Sequence, residues 1–341
     1  THRGEAHRQA GRYDQAITDF TAALDLDPTD AWALGFRGEA HRQAGRYDQA
    51  VADFTAALDL DPTDAWALGF RGEAHRQAGR YDQAVADFTA ALDLDPTNAG
   101  ALDSRGQAHR QAGRYDQAIT DFTAALDLDP TNAWILTHRG EAHRQAGRYD
   151  QAITDFTAAL DIDPTLDWIL THRGEAHRQA GRYDQAVADF TAALDLDPTN
   201  AWALIARSHA HRQGGRYDQA REDLERVLQA EPDNLDRMFE RVMLDTVTSG
   251  LGACVEQWRH LLASPMVVTV DADLVGFFDL LKVLVLEPEA DAAEAVEVFL
   301  AGGQSPEVIS DMSEYLAELS AAGDGLADRA SLCRQLIVER T

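Results

Sequence analysis

Histidine is the side chain in this sequence best suited to metal binding or proton transfer, and its placement argues against both. His7, His41, His75, His109, His143, His177 and His211 recur once every 34 residues. A shared metal needs its donors about 2 Å away. Equivalent residues on stacked helical units lie roughly 10 Å apart. His209 and His211 stand two residues apart, on different faces of a helix. Lys282 is the single lysine, so no phosphate-cradling GxxxxGK motif exists, and GxSxG and HExxH patterns are absent as well. Cys254 and Cys333 have no neighbouring ligand residues, and Arg334 beside Cys333 is at most a weak aid to thiolate formation. The expectation is a chain without catalytic residues, metal or cofactor, and not an enzyme.

The same spacing governs more than histidine. The stretch AHRQAGRYDQA at 6–16 returns unchanged at 40–50, 74–84, 108–118, 142–152 and 176–186, and AHRQGGRYDQA follows at 210–220. Before the unit 31–64, Pro28-Thr29-Asp30 supplies a helix stop and two N-cap residues, and within it Gly45 divides two helical runs. Ala50, Val51, Phe54, Ala57 and Leu58 form one apolar face of the second run, with Asp48 expected as its cap. Two helices of about a dozen residues are marginal alone in water, so copies must stack to complete a core.

This pattern resembles the tetratricopeptide repeat through Leu34, Gly38, Ala40, Ala50, Phe54 and Pro62. The resemblance covers about seven repeats over 1–234, the first truncated. It implies an all-α, right-handed superhelical solenoid with a C-terminal helical domain. Residues 235–250 are expected as a capping helix and 251–341 as a separate all-α domain, with an apolar helix over 274–286 and a further one over 305–319 capped by Ser305-Pro306. Two departures recur in every copy: Arg37 stands where the family carries a large apolar residue, and His41 where it carries an aromatic. Asp53 is the one carboxylate expected on the inward side of the second helix, so intra-repeat pairs are predicted: Arg37–Asp53, Arg71–Asp87 and Arg139–Asp155.

The copies differ along one stripe of the first helix, at positions i, i+3, i+4 and i+7. One column reads Trp32, Trp66, Gly100, Trp134, Trp168 and Trp202. The next pair reads Gly35-Phe36, Gly69-Phe70, Asp103-Ser104, Thr137-His138, Thr171-His172 and Ile205-Ala206. The last reads Glu39, Glu73, Gln107, Glu141, Glu175 and His209. In the family this stripe lines a concave groove, so the resemblance implies a protein or peptide partner there. The candidate contacts are Trp32, Trp66, Trp134, Trp168, Trp202, His138, His172, Arg42, Arg76, Arg144, Arg178, Gln145, Gln179, Glu141 and Glu175. The tryptophans serve equally as packing between repeats. The lysine and asparagine of carboxylate-clamping relatives are missing.

Charge narrows the partners further. The formal net charge is -28, which repels phosphate backbones and anionic lipid and argues against nucleic acid and membrane surfaces. Asp25, Asp27 and their equivalents read as a solubilising edge. No apolar run is long enough to span a bilayer, and two isolated cysteines fit a reducing compartment, hence a cytoplasmic expectation. Thr1 opens inside a repeat, so the chain is expected to begin at a cut end. Two rivals to a peptide-binding scaffold follow: a sensor arm of a larger bacterial signalling or defence NTPase or protease, and a self-associating array stacked end to end.

Overall fold

The computed structural model describes residues 2–249, 251–262, 280–282, 284–285, 291–301, 313, 316–317, 320 and 325–340, and among these there is no strand. They divide into two compact units, 1–181 and 182–341. No helix of the described residues is long and apolar enough to cross a membrane.

The first unit is a run of antiparallel helix pairs. The first helices are α1 (His2–Gln9), α3 (Ala31–Gln43), α5 (Ala65–Gln77), α7 (Ala99–Gln111), α9 (Ala133–Gln145) and α11 (Asp167–Gln179). The second helices are α2 (Tyr13–Leu26), α4 (Tyr47–Leu60), α6 (Tyr81–Leu94), α8 (Tyr115–Leu128) and α10 (Tyr149–Ile162). Each first helix ends at a glycine with positive φ, +73° at Gly45. There the Arg46 amide donates to the His41 carbonyl at 2.8 Å, the closing bond of a Schellman turn that favours glycine. Asp30 caps α3 as expected, accepting from the Ala33 amide at 3.0 Å.

Asp48 does not cap α4. The cap position belongs to Arg46, which makes no side-chain cap bond. Asp48 lies inside the first turn and pairs instead with Arg80 of the following repeat at 2.7 Å. Asp27 has a use beyond solubility: it accepts from the Thr29 amide and hydroxyl at 3.0 and 2.8 Å, an Asx turn that ends α2.

Ala50, Phe54, Ala57 and Leu58 are all buried. Phe54 and Ala50 of α4 pack on Ala74 of α5, and a continuous apolar cluster runs from Leu24 through Leu34, Leu58 and Leu68 to Ala91. No repeat owns its core, which is why the pairs stack.

The predicted arginine–aspartate pairs are present, and each reaches further than expected. Arg37 donates to both oxygens of buried Asp53 at 2.9 and 2.6 Å, and its remaining amino group reaches Thr21 Oγ1 of the preceding repeat at 3.3 Å. Arg71, Arg105 and Arg139 repeat this with Asp87, Asp121 and Asp155, and with Thr55, Thr89 and Thr123. One guanidinium thus ties three helices together, and its bidentate geometry fixes their spacing.

The second unit contains α12 (Tyr183–Leu196), α13 (Ala201–Gln213), α14 (Tyr217–Ala230), α15 (Leu235–Ser249) and α16 (Leu251–Leu262), then helices Ala292–Ala301 and Gly325–Arg340. Arg207 makes the same bidentate grip on Asp223 at 2.9 and 2.6 Å. Leu244 of α15 covers Ala220 and Leu224 of α14. Phe239, Val242 and Met243, on the same helix, join Trp258, Leu281 and Phe299 in a core of their own. Trp258 Nε1 donates to Thr246 Oγ1 at 2.9 Å. Cys254 and Cys333 are buried and not in a disulfide. Burial pushes the Cys333 thiol up to about 11, so the neighbouring Arg334 does not make it reactive. Within the expected apolar helix 274–286, Leu280, Leu281, Leu284 and Val285 are buried. Lys282 beside them is exposed; the other residues of that span, and Ser305-Pro306, lie outside the described residues.

Candidate partner-binding face of the first helices

In the first unit, α3 touches α5, α5 touches α7, α7 touches α9 and α9 touches α11, contacts that successive second helices do not make to the same extent among the described residues. The first helices therefore converge on the tighter side of the stack. Every candidate contact residue between Trp32 and Gln179 lies on those helices. Trp202 stands at the equivalent place on α13 of the second unit.

The tryptophans are both packed and open. Trp32, Trp66 and Trp134 remain 43%, 40% and 63% exposed, and Trp202 48%, unusual for so large an apolar group. Trp66 meets Phe36 at 5.5 Å, Phe54 edge-on at 6.0 Å and Phe70 at 4.4 Å between ring centroids. It lies over Gly35, where a Cβ would fall 2.6 Å from the indole. Glycine is required there because a ring from the next repeat occupies the space of a side chain. Trp134 stacks on Trp168 at 4.9 Å.

The arginines of the stripe are already engaged. Arg42 donates to both oxygens of Glu39 at 2.7 and 2.8 Å, and this bond holds its guanidinium above the usual arginine value. Arg76, Arg144 and Arg178 are held the same way by Glu73, Glu141 and Glu175. Gln43 and Gln179 donate to the same glutamates at 2.6 and 2.7 Å. Cross-repeat bonds finish the face: Arg144 to Gln179 at 3.2 Å, Arg110 to Gln145 at 3.4 Å, His138 to Asp103 at 2.8 Å and His172 to Glu141 at 2.7 Å. Burial pushes the Glu141 carboxyl up, but the bonds from His172 and Arg144 outweigh it and hold it at about 2.

Within the first unit, α7 breaks this order. On α7, Gly100 replaces the tryptophan, Ser104 the phenylalanine and Gln107 the glutamate. A depression of about 370 Å³ opens there, lined by Trp66, Gly69, Phe70, Phe88, Gly100 and Ser104. A Cβ on Gly69 would meet nothing within 4 Å. Arg110 has no glutamate on its own helix, its Nε is buried without a hydrogen-bond partner, and burial holds its guanidinium below the usual value. The columns at 100, 104 and 107 carried this signal in the sequence.

The tetratricopeptide repeat family model matches residues 2–65, 37–99, 70–133 and 104–167, and a second model of the same description matches 177–239. No curated protein sequence matches the chain. Among solved structures, a tetratricopeptide repeat protein from Parabacteroides merdae is 18% identical over 70% of this chain and 95% of its own, with a TM-score of 0.57. The C-terminal part of a repeat protein from Cytophaga hutchinsonii is 16% identical over 70% and 97%, also at 0.57. The Pseudomonas aeruginosa protein pilF is 19% identical over 62% and 96%, at 0.51. At these identities the likeness is one of fold. The repeats matched directly, the helix pairs and the solved relatives agree, and the chain belongs to the tetratricopeptide repeat family, an all-α superhelical repeat fold of the kind used as a protein-interaction scaffold.

Proposed function

We propose that the first-helix face of residues 31–179 is a groove that binds an extended segment of a protein partner, and that the chain works as a scaffold without turnover. The observation that carries this reading is the row of tryptophans fixed by neighbouring rings, in which Trp32, Trp66 and Trp134 are 40–63% exposed and Trp168, stacked on Trp134, is half-buried. A rigid, half-open indole loses little conformational freedom on binding and buries a large area, which makes it an anchor. The satisfied arginine–glutamate pairs around it supply a polar rim. The net charge of -28 disfavours nucleic acid as the partner.

The test is affinity capture on the intact chain against a Trp134→Ala/Trp168→Ala variant of equal melting temperature. A partner retained by the first and lost by the second supports the groove. Equal capture by both overturns it and moves binding elsewhere on the molecule.

A further inference from the structure

The depression on α7 has an internal template one repeat earlier. There the slot formed by Gly35, Phe36 and Phe54 is filled by Trp66. In the next repeat the slot is rebuilt from Gly69, Phe70 and Phe88, but its own indole is absent because residue 100 is glycine, and the adjacent ring is absent because residue 104 is serine. The space, about 370 Å³, exceeds the roughly 150 Å³ that accommodates a benzene ring in a packed interior. Aromatic walls at this spacing favour another aromatic ring, in offset or edge-on contact.

A second difference on the same helix is independent of the first. Glu5, Glu39, Glu73, Glu141 and Glu175 each neutralise the arginine three residues on. At Gln107 that carboxylate is missing, and Arg110 keeps a single long bond to Gln145 and a buried Nε with no acceptor. The nearest negative group in the next repeat, Glu141, is already bound by Arg144 and His172. Arg110 is thus positioned to accept a carboxylate from outside.

We propose that α7 is the anchor site of the groove, taking an aromatic side chain, indole best, into the Gly69–Gly100 slot and a carboxylate of the same partner segment onto Arg110. Ten residues of helix separate the two positions, about 15 Å, a distance spanned by four or five residues of extended chain. The partner is a peptide in which an aromatic and an acidic residue stand at that interval. This rests on the groove reading and gives it chemistry.

Substitutions that restore the repeat's own residues test it without threatening the fold. Gly100→Trp/Ser104→Phe recreates the arrangement of Trp66 and Phe70. Asp103→Thr/Gln107→Glu recreates that of Thr137 and Glu141. The probes are acetylated, amidated pentapeptides with tryptophan at one end, aspartate at the other and Gly-Ser-Ser between, made in both orders and titrated by calorimetry. One order binds the wild-type chain saturably and is weakened at least about tenfold by Gly100→Trp/Ser104→Phe or by alanine in place of its tryptophan. Replacing its aspartate by asparagine weakens it on the wild type and not on Asp103→Thr/Gln107→Glu. Absence of saturable binding at millimolar peptide, or equal binding by Gly100→Trp/Ser104→Phe, overturns the proposal.

Selection of a random peptide library on the intact chain separates this from the broader reading. Ligands lost by both Trp134→Ala and Gly100→Trp/Ser104→Phe support both. Ligands lost by Trp134→Ala but kept by Gly100→Trp/Ser104→Phe leave the groove standing and overturn the slot. A library that yields no ligand overturns both.

Discussion

Helices α5 and α7 are adjacent copies of one unit, and they differ only where they face the tight side of the stack. Toward the core they are interchangeable. Arg71 and Arg105 grip their aspartates at the same distances, 2.6 Å for the shorter bond, and Gly72 and Gly106 both accept a phenylalanine ring against the backbone. Toward the tight side, α5 carries Trp66, Phe70 and a paired Arg76, where α7 has a depression and Arg110 without a glutamate. The arginine grip and the glycine–phenylalanine contact hold the stack in both copies, and the ring contacts of Trp66 and Phe70 are an addition that α7 does without.

The largest effects should be blind to that difference. Asp87→Ala and Asp121→Ala each strand a guanidinium whose other side-chain partner is one threonine, and the expected loss is about 3 kcal/mol, equal at the two positions. A denaturant titration measures it. An unchanged melting temperature at either site would mean that the grip sets geometry alone. Next, Gly72→Ala and Gly106→Ala place a Cβ 2.9 Å from the Phe88 ring and 2.6 Å from the Phe122 ring. Overpacking of this kind costs about 1–3 kcal/mol, and the closer approach predicts the greater loss at Gly106.

Effects on the tight side of the stack should be opposite in sign in the two copies. Trp66→Gly/Phe70→Ser imposes the α7 pattern on α5 and removes several ring contacts, while Gly100→Trp/Ser104→Phe imposes the α5 pattern on α7 and supplies them. Each aromatic pair contributes about 0.5–1.5 kcal/mol beyond its burial. Thermal melts should therefore move down for the first variant and up for the second. A fall for the second would show that the slot is not shaped for an indole, and would break the comparison at its centre.

The fold was legible because its signals are redundant: seven copies of one period, glycine after each first helix, proline after each pair. The arginine–aspartate grip was legible for a simpler reason, since only one carboxylate faces inward. What escaped sequence reasoning was the third partner of each grip. Thr21, Thr55, Thr89 and Thr123 belong to the preceding repeat, and a contact between copies is invisible when one copy is read alone. Asp48 was misread as a cap for the same reason, because its partner Arg80 lies 32 residues on. The stripe of variable residues was visible as a pattern. Which of its arginines lacks a carboxylate follows only from how glutamate and arginine meet three residues apart, and that is fixed by the helix geometry.

The smallest expected effect tests whether the shared scaffold is also shared in its response to pH. His75 and His109 are partly buried, and burial, only partly offset by Asp87 and Asp121, pushes both below the usual value of 6.5. The aspartates stand 3.9 Å away, beyond hydrogen-bond reach, and each Nδ1 is buried with no partner, so protonation leaves a ring N–H without an acceptor. The unfolded chain therefore binds protons first as the pH drops. Stability is fully present above pH 6.5 and falls as the pH descends from there toward the folded-state value. Replacing His75 or His109 by phenylalanine, the kind of residue the family carries at this place, should narrow the gap between melting temperatures at about pH 7.5 and pH 5.5, two readings that bracket the reference value. Because α5 and α7 are alike on this side, the two variants should narrow it equally. An effect at His75 without one at His109 would show that the altered face of α7 reaches through the helix to its core side, and the likeness of the two copies on that side would fail.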